Sequence, residues 1–491
     1  MSPCLRRVLA GALLAVLTGC AALPRGVPAD QTDAAIAQRL GAAPERDDAF
    51  VADLLRAPLT PAAATRIALV RQPAVARRYA ELGLARADLL ETARIANPTL
   101  SLSFLDVVGG PGSTITRAIE QPLADLLTRP ARLRLGEADY AAARDEAAAA
   151  IIGLALDVES QWFAAVGARQ RADLGALRAE LADAGAELAQ RYADAGNFEA
   201  AELATRRAEA ATAALEAGEA ERAARRERRA LQALLGLRPD ESFDLPTRLP
   251  RLAADDPLPA DLAGPAAAQR LDLAAAATRL AREQRALALA RRWRLLGDID
   301  LGYERERGPD GDLERGPEIA LAIPIFDQGQ AGIARAEAEL ARATAELAAA
   351  RAALAQEVDD AVEDLRAQRA AAETLITHLL PARAAQVARL TEANNWMLAS
   401  PFELIEARDA QFEAWATHVA TVQAYWQARV ALRRAVGGAL PALAGPMPGP
   451  LLLPPDGLLA GNAGDDAAKD ANDTEEASHD AHAHPDHGDT P

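Results

Sequence analysis

The chain repeats itself at an offset of roughly two hundred residues, and this internal repeat limits the folds that it can adopt. In the first half, a helix rich in Ala, Leu, Glu and Arg begins at residues 129–133, after the run 115–123. In the second half, a similar helix begins at residues 329–333, after the run 319–325. We therefore predict a duplicated module in which a strand hairpin is followed by a long helix.

The far ends of the two long helices also correspond. Residues 196–203 lie opposite residues 397–404, and a return helix follows each segment. A chance match across so many elements is improbable, so we treat these two segments as the paired tips of the duplicated module.

The N-terminus has the pattern of a bacterial lipoprotein signal. Arg6 and Arg7 precede an apolar run at residues 8–16, and small residues lead directly to Cys20. The run is too short to span a bilayer as a helix, so it indicates a processing site rather than a permanent anchor. We expect residues 1–19 to be removed and Cys20 to carry lipid. The alternative is a plain secretory signal with an incidental cysteine.

The remaining cysteine and the residue after Cys20 add two expectations. Cys4 lies in the removed segment, so the mature chain can form no internal disulfide and depends on packing for its stability. Ala21 follows Cys20. Since no acidic residue stands there to suggest retention at the inner membrane, sorting rules favour the outer membrane.

The composition is typical of long helices and coiled coils, with 4% aromatic and 25% charged residues. No proline occurs between Pro130 and Pro239, and a helix over residues 131–194 would be about 100 Å long. Pro381 lies within the second long helix, where we expect a kink. Apolar residues at coiled-coil spacing predict a packed seam along each helix: Leu174, Leu177, Leu181 and Leu188, then Leu340, Leu347, Leu354, Val358 and Leu365.

Before each long helix the apolar period changes to two, which predicts four strands. The first hairpin covers residues 98–121, with a turn at 109–113. The second covers residues 297–325, and we expect a polar loop at residues 305–318 between its strands. Four strands with one apolar face make a poor sandwich. A closed barrel built from several chains, with lipid outside and water inside, would leave no edge unpaired.

These features resemble the TolC family of outer-membrane efflux proteins, and more particularly its lipid-anchored members. The resemblance covers about residues 60–438 and rests on the lipoprotein signal, the duplicated plan and the paired tips. It implies a mainly α fold with a small β part. It also implies a homotrimer whose helices form a periplasmic tunnel and whose chains each give four strands to a twelve-stranded barrel in outer-membrane lipid. A periplasmic adaptor and an inner-membrane pump would drive export through this passive conduit.

The resemblance also assigns roles at the tips. In the family, acidic side chains spaced by three near the second tip form rings in the tunnel, and Glu403 and Glu406 occupy that place here. The alternative is an ordinary acidic helix start after Pro401. The second tip lacks the glycine that the family often has, which leaves the adaptor contacts open. The residues that the resemblance places at the adaptor contact are Gly196, Asn197, Phe198, Asn395 and Met397.

The domain plan follows from these elements. After the lipid anchor and N-terminal segment at residues 20–59, the first repeat covers residues 60–236 and the second covers residues 265–438. A proline-rich linker at residues 237–264 joins the repeats, and we expect it on the outside of the helical barrel. Residues 439–491 form an acidic tail that cannot bury enough surface to fold.

The tail holds four of the six histidines of the chain. Imidazoles interleaved with carboxylates suit Zn, Cu, Ni or Co, so weak divalent metal binding is one interpretation, and it points to heavy-metal export. Incidental histidines in a soluble tail are the other. The candidate ligands are His479, His482, His484 and His487. His418 lies on a helix between Trp415 and Val422, and we expect it to pack in the core.

No catalytic motif is present in the sequence. A phosphate-binding loop, a His-Glu-x-x-His zinc site, a paired-cysteine motif and a nucleophile elbow are all missing, so we expect neither an enzyme nor a cofactor. The net charge of −18 argues against nucleic acid as a partner, because a phosphate backbone would be repelled.

A periplasmic coiled-coil lipoprotein that buffers metal through its tail is the alternative function. It accounts for Cys20, the heptads and the histidines, but not for the two alternating hairpins. If the hairpins are barrel strands, replacing Leu102 or Leu321 with Arg should impair membrane assembly. A water-soluble rod would tolerate either change.

Overall fold

The computed structural model describes residues 29–41, 48–106, 108–110, 112–253, 258–259, 261–294, 299–438, 440 and 449–451. The predicted signal peptide, the lipidation site at Cys20 and the predicted histidine-containing end of the tail lie outside these residues.

The described elements follow the predicted duplicated order. The first half contains α1 (Ala29–Leu40), α2 (Ala49–Leu54), α3 (Pro61–Arg71), α4 (Pro73–Thr92), β1 (Thr99–Asp106), β2 (Ser113–Pro122), α5 (Ala124–Asp194) and α6 (Ala200–Leu234). The second contains α7 (Ala263–Gln269), α8 (Leu271–Arg292), β3 (Ile299–Arg307), β4 (Leu313–Leu321), α9 (Gln330–Thr374), a π-helical turn (Leu375–Leu379), α10 (Leu380–Asn395) and α11 (Pro401–Ala435). The prediction of a mainly α fold with a hairpin before each long helix is confirmed.

The two long helices have comparable length. Helix α5 has 71 residues, and α9 continues through the π-helical turn into α10, so each rod is on the order of 100 Å long. The π-helical turn lies directly before Pro381, where the sequence predicted a kink. Proline cannot donate the usual backbone hydrogen bond, and the amide of Leu380 reaches back five residues to the carbonyl of Leu375 instead.

The four described strands form one antiparallel sheet in the order β1-β2-β3-β4, so the hairpins of the two repeats pair through β2 and β3. The expected loop at residues 305–318 is wrong in extent, because β3 continues to Arg307 and β4 begins at Leu313. Glu306 pairs with Glu314 across the ladder. The charged residues at each end of the predicted loop belong to the paired strands, and only residues 308–312 connect them.

One hydrophobic core joins the helices in the middle of the molecule. Five residues of the predicted seam are buried, namely Leu174, Leu347, Leu354, Val358 and Leu365. The other four, Leu177, Leu181, Leu188 and Leu340, are half-buried. Phe163 of α5 stacks on Trp426 of α11 at 5.4 Å between ring centroids. Helix α5 also contains an apolar window long enough by composition to cross a membrane, but more than half of that window is buried inside the chain. Packing against neighbouring helices accounts for its apolar character.

The inter-repeat linker packs onto this core rather than standing apart from it. Phe243 and Leu249 are fully buried, and the indole N–H of Trp426 donates to the carbonyl of Pro250 at 3.0 Å. The indole N–H of Trp162 donates in the same way to the carbonyl of Leu59 at 2.7 Å. The linker therefore packs against the middle of the long helices, between the sheet at one end and the tips at the other.

Candidate functional site: the sheet and the helical tips

The sheet has two chemically different faces. Residues directly opposite each other in the ladder share a face, and one face is largely apolar and exposed. Leu100, Phe104 and Ile319 on this apolar face are about two-thirds exposed or more. The other apolar side chains on it are Leu102, Ile115, Ile119, Ile299, Leu301, Tyr303, Leu313 and Leu321. So large an exposed apolar surface is unfavourable in water and indicates contact with lipid or another chain.

The opposite face, which we call the acidic face, carries small, hydroxyl and carboxylate side chains. Its carboxylates are Glu120, Asp300, Glu304, Glu306, Glu314 and Glu318. Gly302 and Ala118 on this face are buried, although no second layer of the described residues covers the sheet. A Cβ atom placed on Gly302 would lie 3.3 Å from Cβ of Glu318 and 3.5 Å from Cγ of Glu120, closer than flat strands allow. The sheet therefore curves toward its acidic face.

This curvature gives the sheet the form of a barrel segment. The acidic face is concave and the apolar face is convex, and β1 and β4 each keep one unpaired edge within the chain. A four-stranded sheet cannot close on itself, whereas pairing β4 of one copy with β1 of the next would satisfy both edges. The arrangement suits a barrel with lipid outside and a charged aqueous lumen.

The first tip ends α5 with a glycine in the left-handed conformation. Gly196 has φ of 77°, and the amide of Asn197 donates to the carbonyl of Tyr192 at 2.9 Å, which closes the helix end. Phe198 turns back against the ring of Phe402 at 5.1 Å between centroids. Gly196 and Asn197 are exposed, and Phe198 connects the first tip to the second.

The second tip repeats this geometry without a glycine. Met397 has φ of 55°, and the amide of Leu398 donates to the carbonyl of Ala393 at 2.8 Å. Met397 is the one described non-glycine residue with positive φ, a conformation that L side chains rarely adopt. Trp396, Met397 and Leu398 are all more than 70% exposed, and Asn395 beside them is also exposed. The structure thus brings four of the five tip residues to the surface at the same end.

The two candidate gate carboxylates lie just beyond this tip, on the first two turns of α11. Glu403 completes a capping box, because its Oε2 accepts the amide N–H of Ser400 at 2.7 Å and Ser400 Oγ accepts the amide N–H of Phe402. Glu406 Oε1 accepts a hydrogen bond from Arg206 Nη2 of α6 at 2.8 Å. Both side chains are exposed, so each has a local structural partner and also faces the open side of the helix.

Two arginines tie the tips of the two repeats together. Arg206 pairs with Glu406 and Glu209 and lies over the ring of Phe402, 5.1 Å from its centroid. Further along α11, Arg178 of α5 donates both arms of its guanidinium to Asp409 at 2.8 and 3.0 Å. These cross-repeat ties were not predicted from the sequence, because partners about two hundred residues apart leave no local signal.

The remaining predictions concern histidines, one in the core and four in the tail outside the described residues. His418 is 1% exposed and packs edge-on against Trp415, as expected, and burial lowers the pKa of His418 to about 4. Among the described residues no group of three His, Cys, Asp or Glu side chains could hold a metal ion. The four tail histidines lie outside these residues, so metal binding there stays a prediction.

Comparison with known proteins identifies the fold. No protein-family model matches the chain, and no curated protein matches it by sequence. Solved structures do match. CusC, whose crystal structures are described in terms of folding and transmembrane channel formation, is 18% identical, with 77% of this chain and 92% of CusC covered at a TM-score of 0.64. The outer-membrane channel OprN is 19% identical, with 82% and 95% covered at a TM-score of 0.65.

The outer-membrane protein VceC from Vibrio cholerae is also similar. It is 17% identical, and the match covers 76% of this chain and 95% of VceC at a TM-score of 0.64. At this level of identity the comparisons establish the fold. The predicted resemblance to the TolC family is confirmed at the level of the fold.

Proposed function

We propose that this protein is the outer-membrane channel of a tripartite efflux system. The observation that carries the proposal is the sheet, whose convex face exposes apolar side chains and whose concave face carries six carboxylates. Three copies joined edge to edge would give twelve strands around a water-filled lumen in outer-membrane lipid. The helices, on the order of 100 Å long, would continue the tunnel across the periplasm.

The remaining roles follow from this arrangement. Cys20 would carry a lipid that anchors the chain in the outer membrane, and the exposed tips at Gly196 and Met397 would meet a periplasmic adaptor coupled to an inner-membrane pump. Glu403 and Glu406 would form acidic rings at the tip, held in place by the pair between Glu406 and Arg206. Since the lumen and the tip are both acidic, we propose cations as the preferred cargo, with heavy-metal ions included. No catalytic step is required of the channel itself.

Closure of the barrel between chains can be tested by disulfide trapping. The mature chain has no cysteine besides Cys20, so engineered pairs can be read without background. Ser103 on β1 and residues on β4 that share the acidic face should meet across the junction between copies. We would combine Ser103→Cys with Glu314→Cys, Gly316→Cys or Glu318→Cys in three separate variants, since the register between copies is unknown.

The proposal predicts that one of these pairs crosslinks the protein to a covalent trimer, because paired strands bring Cβ atoms within disulfide distance. The matched control pairs Ser103→Cys with Leu321→Cys, on the apolar face of β4. Leu321 points to the other face and should not crosslink, whatever the register. A folded protein that gives no trimer with any acidic-face pair would refute the barrel, and the metal-buffering lipoprotein would become the better account.

A further inference from the structure

Three arginines stand in one row across the apolar face of the sheet. Arg117 lies directly opposite Arg305, and Arg305 lies directly opposite Arg315, on three neighbouring strands. Leu102 of β1 completes the row. All four side chains are exposed. We call Arg117, Arg305 and Arg315 the arginine row.

Among the described residues the arginine row has no partner. None of its three guanidinium groups makes a hydrogen bond or an ion pair there. The neighbouring carboxylates, Glu304, Glu306 and Glu314, alternate onto the acidic face and point away. Like charges directly opposite each other destabilise a strand pair, and charge on a lipid-facing surface adds a further cost. An external anion lying over the arginine row would offset both costs.

The position of the arginine row along the strands indicates which anion could lie over it. Arg305 lies two residues before the end of β3, and Arg315 two residues after the start of β4, next to the hairpin turn. The long helices leave the opposite end of the sheet, so the turn end is the one that faces away from the periplasm. Apolar rows at Ile319 and Leu321 lie between the arginine row and the helices. One further apolar row, with Phe104, Ile115 and Leu313, lies between the arginine row and the turn. The arginine row therefore lies one row inside the outer boundary of the apolar band, and its long side chains can reach the lipid headgroups when they extend toward the turn.

We propose that the arginine row binds the phosphate groups of anionic lipid in the outer leaflet of the membrane. Guanidinium groups form paired hydrogen bonds with phosphate oxygens, and three of them on adjacent strands, about 5 Å apart, can share one headgroup or join two. The inference rests on the proposed function, because it requires the sheet to stand in a bilayer. It goes beyond that function by naming a specific lipid contact that fixes the barrel in the outer leaflet.

The test measures how tightly the purified, detergent-solubilised protein binds phosphatidic acid, by native mass spectrometry. We would compare the wild type with R117Q/R305Q/R315Q, with the charge-preserving R117K/R305K/R315K, and with a control that removes three exposed arginines from helices α6 and α9. The control is R226Q/R229Q/R366Q, whose three exposed arginines form no ion pair within the described residues. Phosphatidylcholine, which has no net charge, serves as the reference lipid.

The inference predicts that the wild type and the control prefer phosphatidic acid to phosphatidylcholine, and that the Gln variant loses about 100-fold in this preference. That factor corresponds to three basic side chains near a membrane surface at roughly 1 kcal/mol each. The Lys variant should keep part of the preference, since it retains charge without the paired geometry. Equal preference in the wild type and the Gln variant would overturn the inference, as would binding of inorganic phosphate with no effect of lipid.

The same spectra separate this inference from the proposed function. A trimer that inserts and conducts but does not discriminate between the lipids refutes the lipid site alone. A protein that stays monomeric and does not insert into bilayers refutes the channel, and the lipid site with it.

Discussion

The position of a new charge on the sheet should decide whether the protein assembles in a membrane. On the apolar face, Ile319 is 71% exposed and lies four residues from Arg315 along β4. At about 3.3 Å per residue and a strand tilt near 40°, Ile319 lies about 10 Å below the arginine row. An apolar band about 25 Å tall has its middle near that depth. Ile319→Arg should therefore cost about 2–4 kcal/mol of folding free energy in a bilayer.

Two matched substitutions make the prediction specific. Leu102→Arg places the same side chain in the arginine row near the outer boundary, where the cost falls to about 0–1 kcal/mol. Ala320→Arg places it one residue further along β4, on the acidic face, where it meets carboxylates and water. The sequence alone suggested Leu102 and Leu321 as equivalent sites. The register separates them, because Leu321 lies below Ile319 on the apolar face and Leu102 lies in the arginine row.

The assay is urea unfolding of the protein reconstituted into phosphatidylcholine vesicles, together with the yield of trimer in the outer-membrane fraction. We expect the loss of stability to follow the order Ile319→Arg, then Leu102→Arg, then Ala320→Arg. Equal effects of Ile319→Arg and Ala320→Arg would refute the assignment of the two faces. A large effect of Leu102→Arg beside a small one of Ile319→Arg would refute the depth assigned to the arginine row.

Three further predictions concern the helices and the tips. Burial lowers the pKa of His418 to about 4, so the neutral imidazole contributes its full stability above pH 6.5. The free energy of unfolding should fall by about 3 kcal/mol as the pH drops from 6.5 to 4. His418→Leu should remove this part of the pH dependence of unfolding. Arg206→Gln breaks the tie to Glu406 without removing the gate carboxylate, so it should raise channel conductance, whereas Glu209→Gln, which breaks only a pair within α6, should not. Met397→Gly should raise the free energy of unfolding by about 0.5–1 kcal/mol in chemical denaturation, because glycine adopts positive φ without strain; a loss of stability would contradict this reading of the tip.

The parts of the structure that were predictable from sequence are those with a local or repeated signal. The seam at Leu347 and Leu354 follows from heptad spacing. At Pro381 the sequence predicts a kink, and the structure has a π-helical turn there, for which the missing proline N–H is the local cause. The alternation of Leu100 and Leu102 with serines predicted a two-faced strand. In each case the physical cause lies within a few neighbouring residues.

The parts that were not predictable depend on contacts between distant segments. The arginine row exists only in the register that pairs β2 with β3, which joins residues of different repeats. The tie between Arg206 and Glu406 likewise links the two halves of the chain. The alternating charges around Glu306 were read as a loop because they lack an apolar face, although the ladder continues through them. Register and cross-repeat pairing therefore had to come from the structure.

The most direct test of the channel is single-channel recording of the purified protein in planar bilayers, with the wild type, Arg206→Gln and Glu403→Gln/Glu406→Gln measured side by side. The account predicts discrete, cation-selective conductance that rises in Arg206→Gln and loses selectivity in the double variant. A folded, membrane-inserted protein that stays silent in all three forms, including the one with its tip tie removed, would contradict the account.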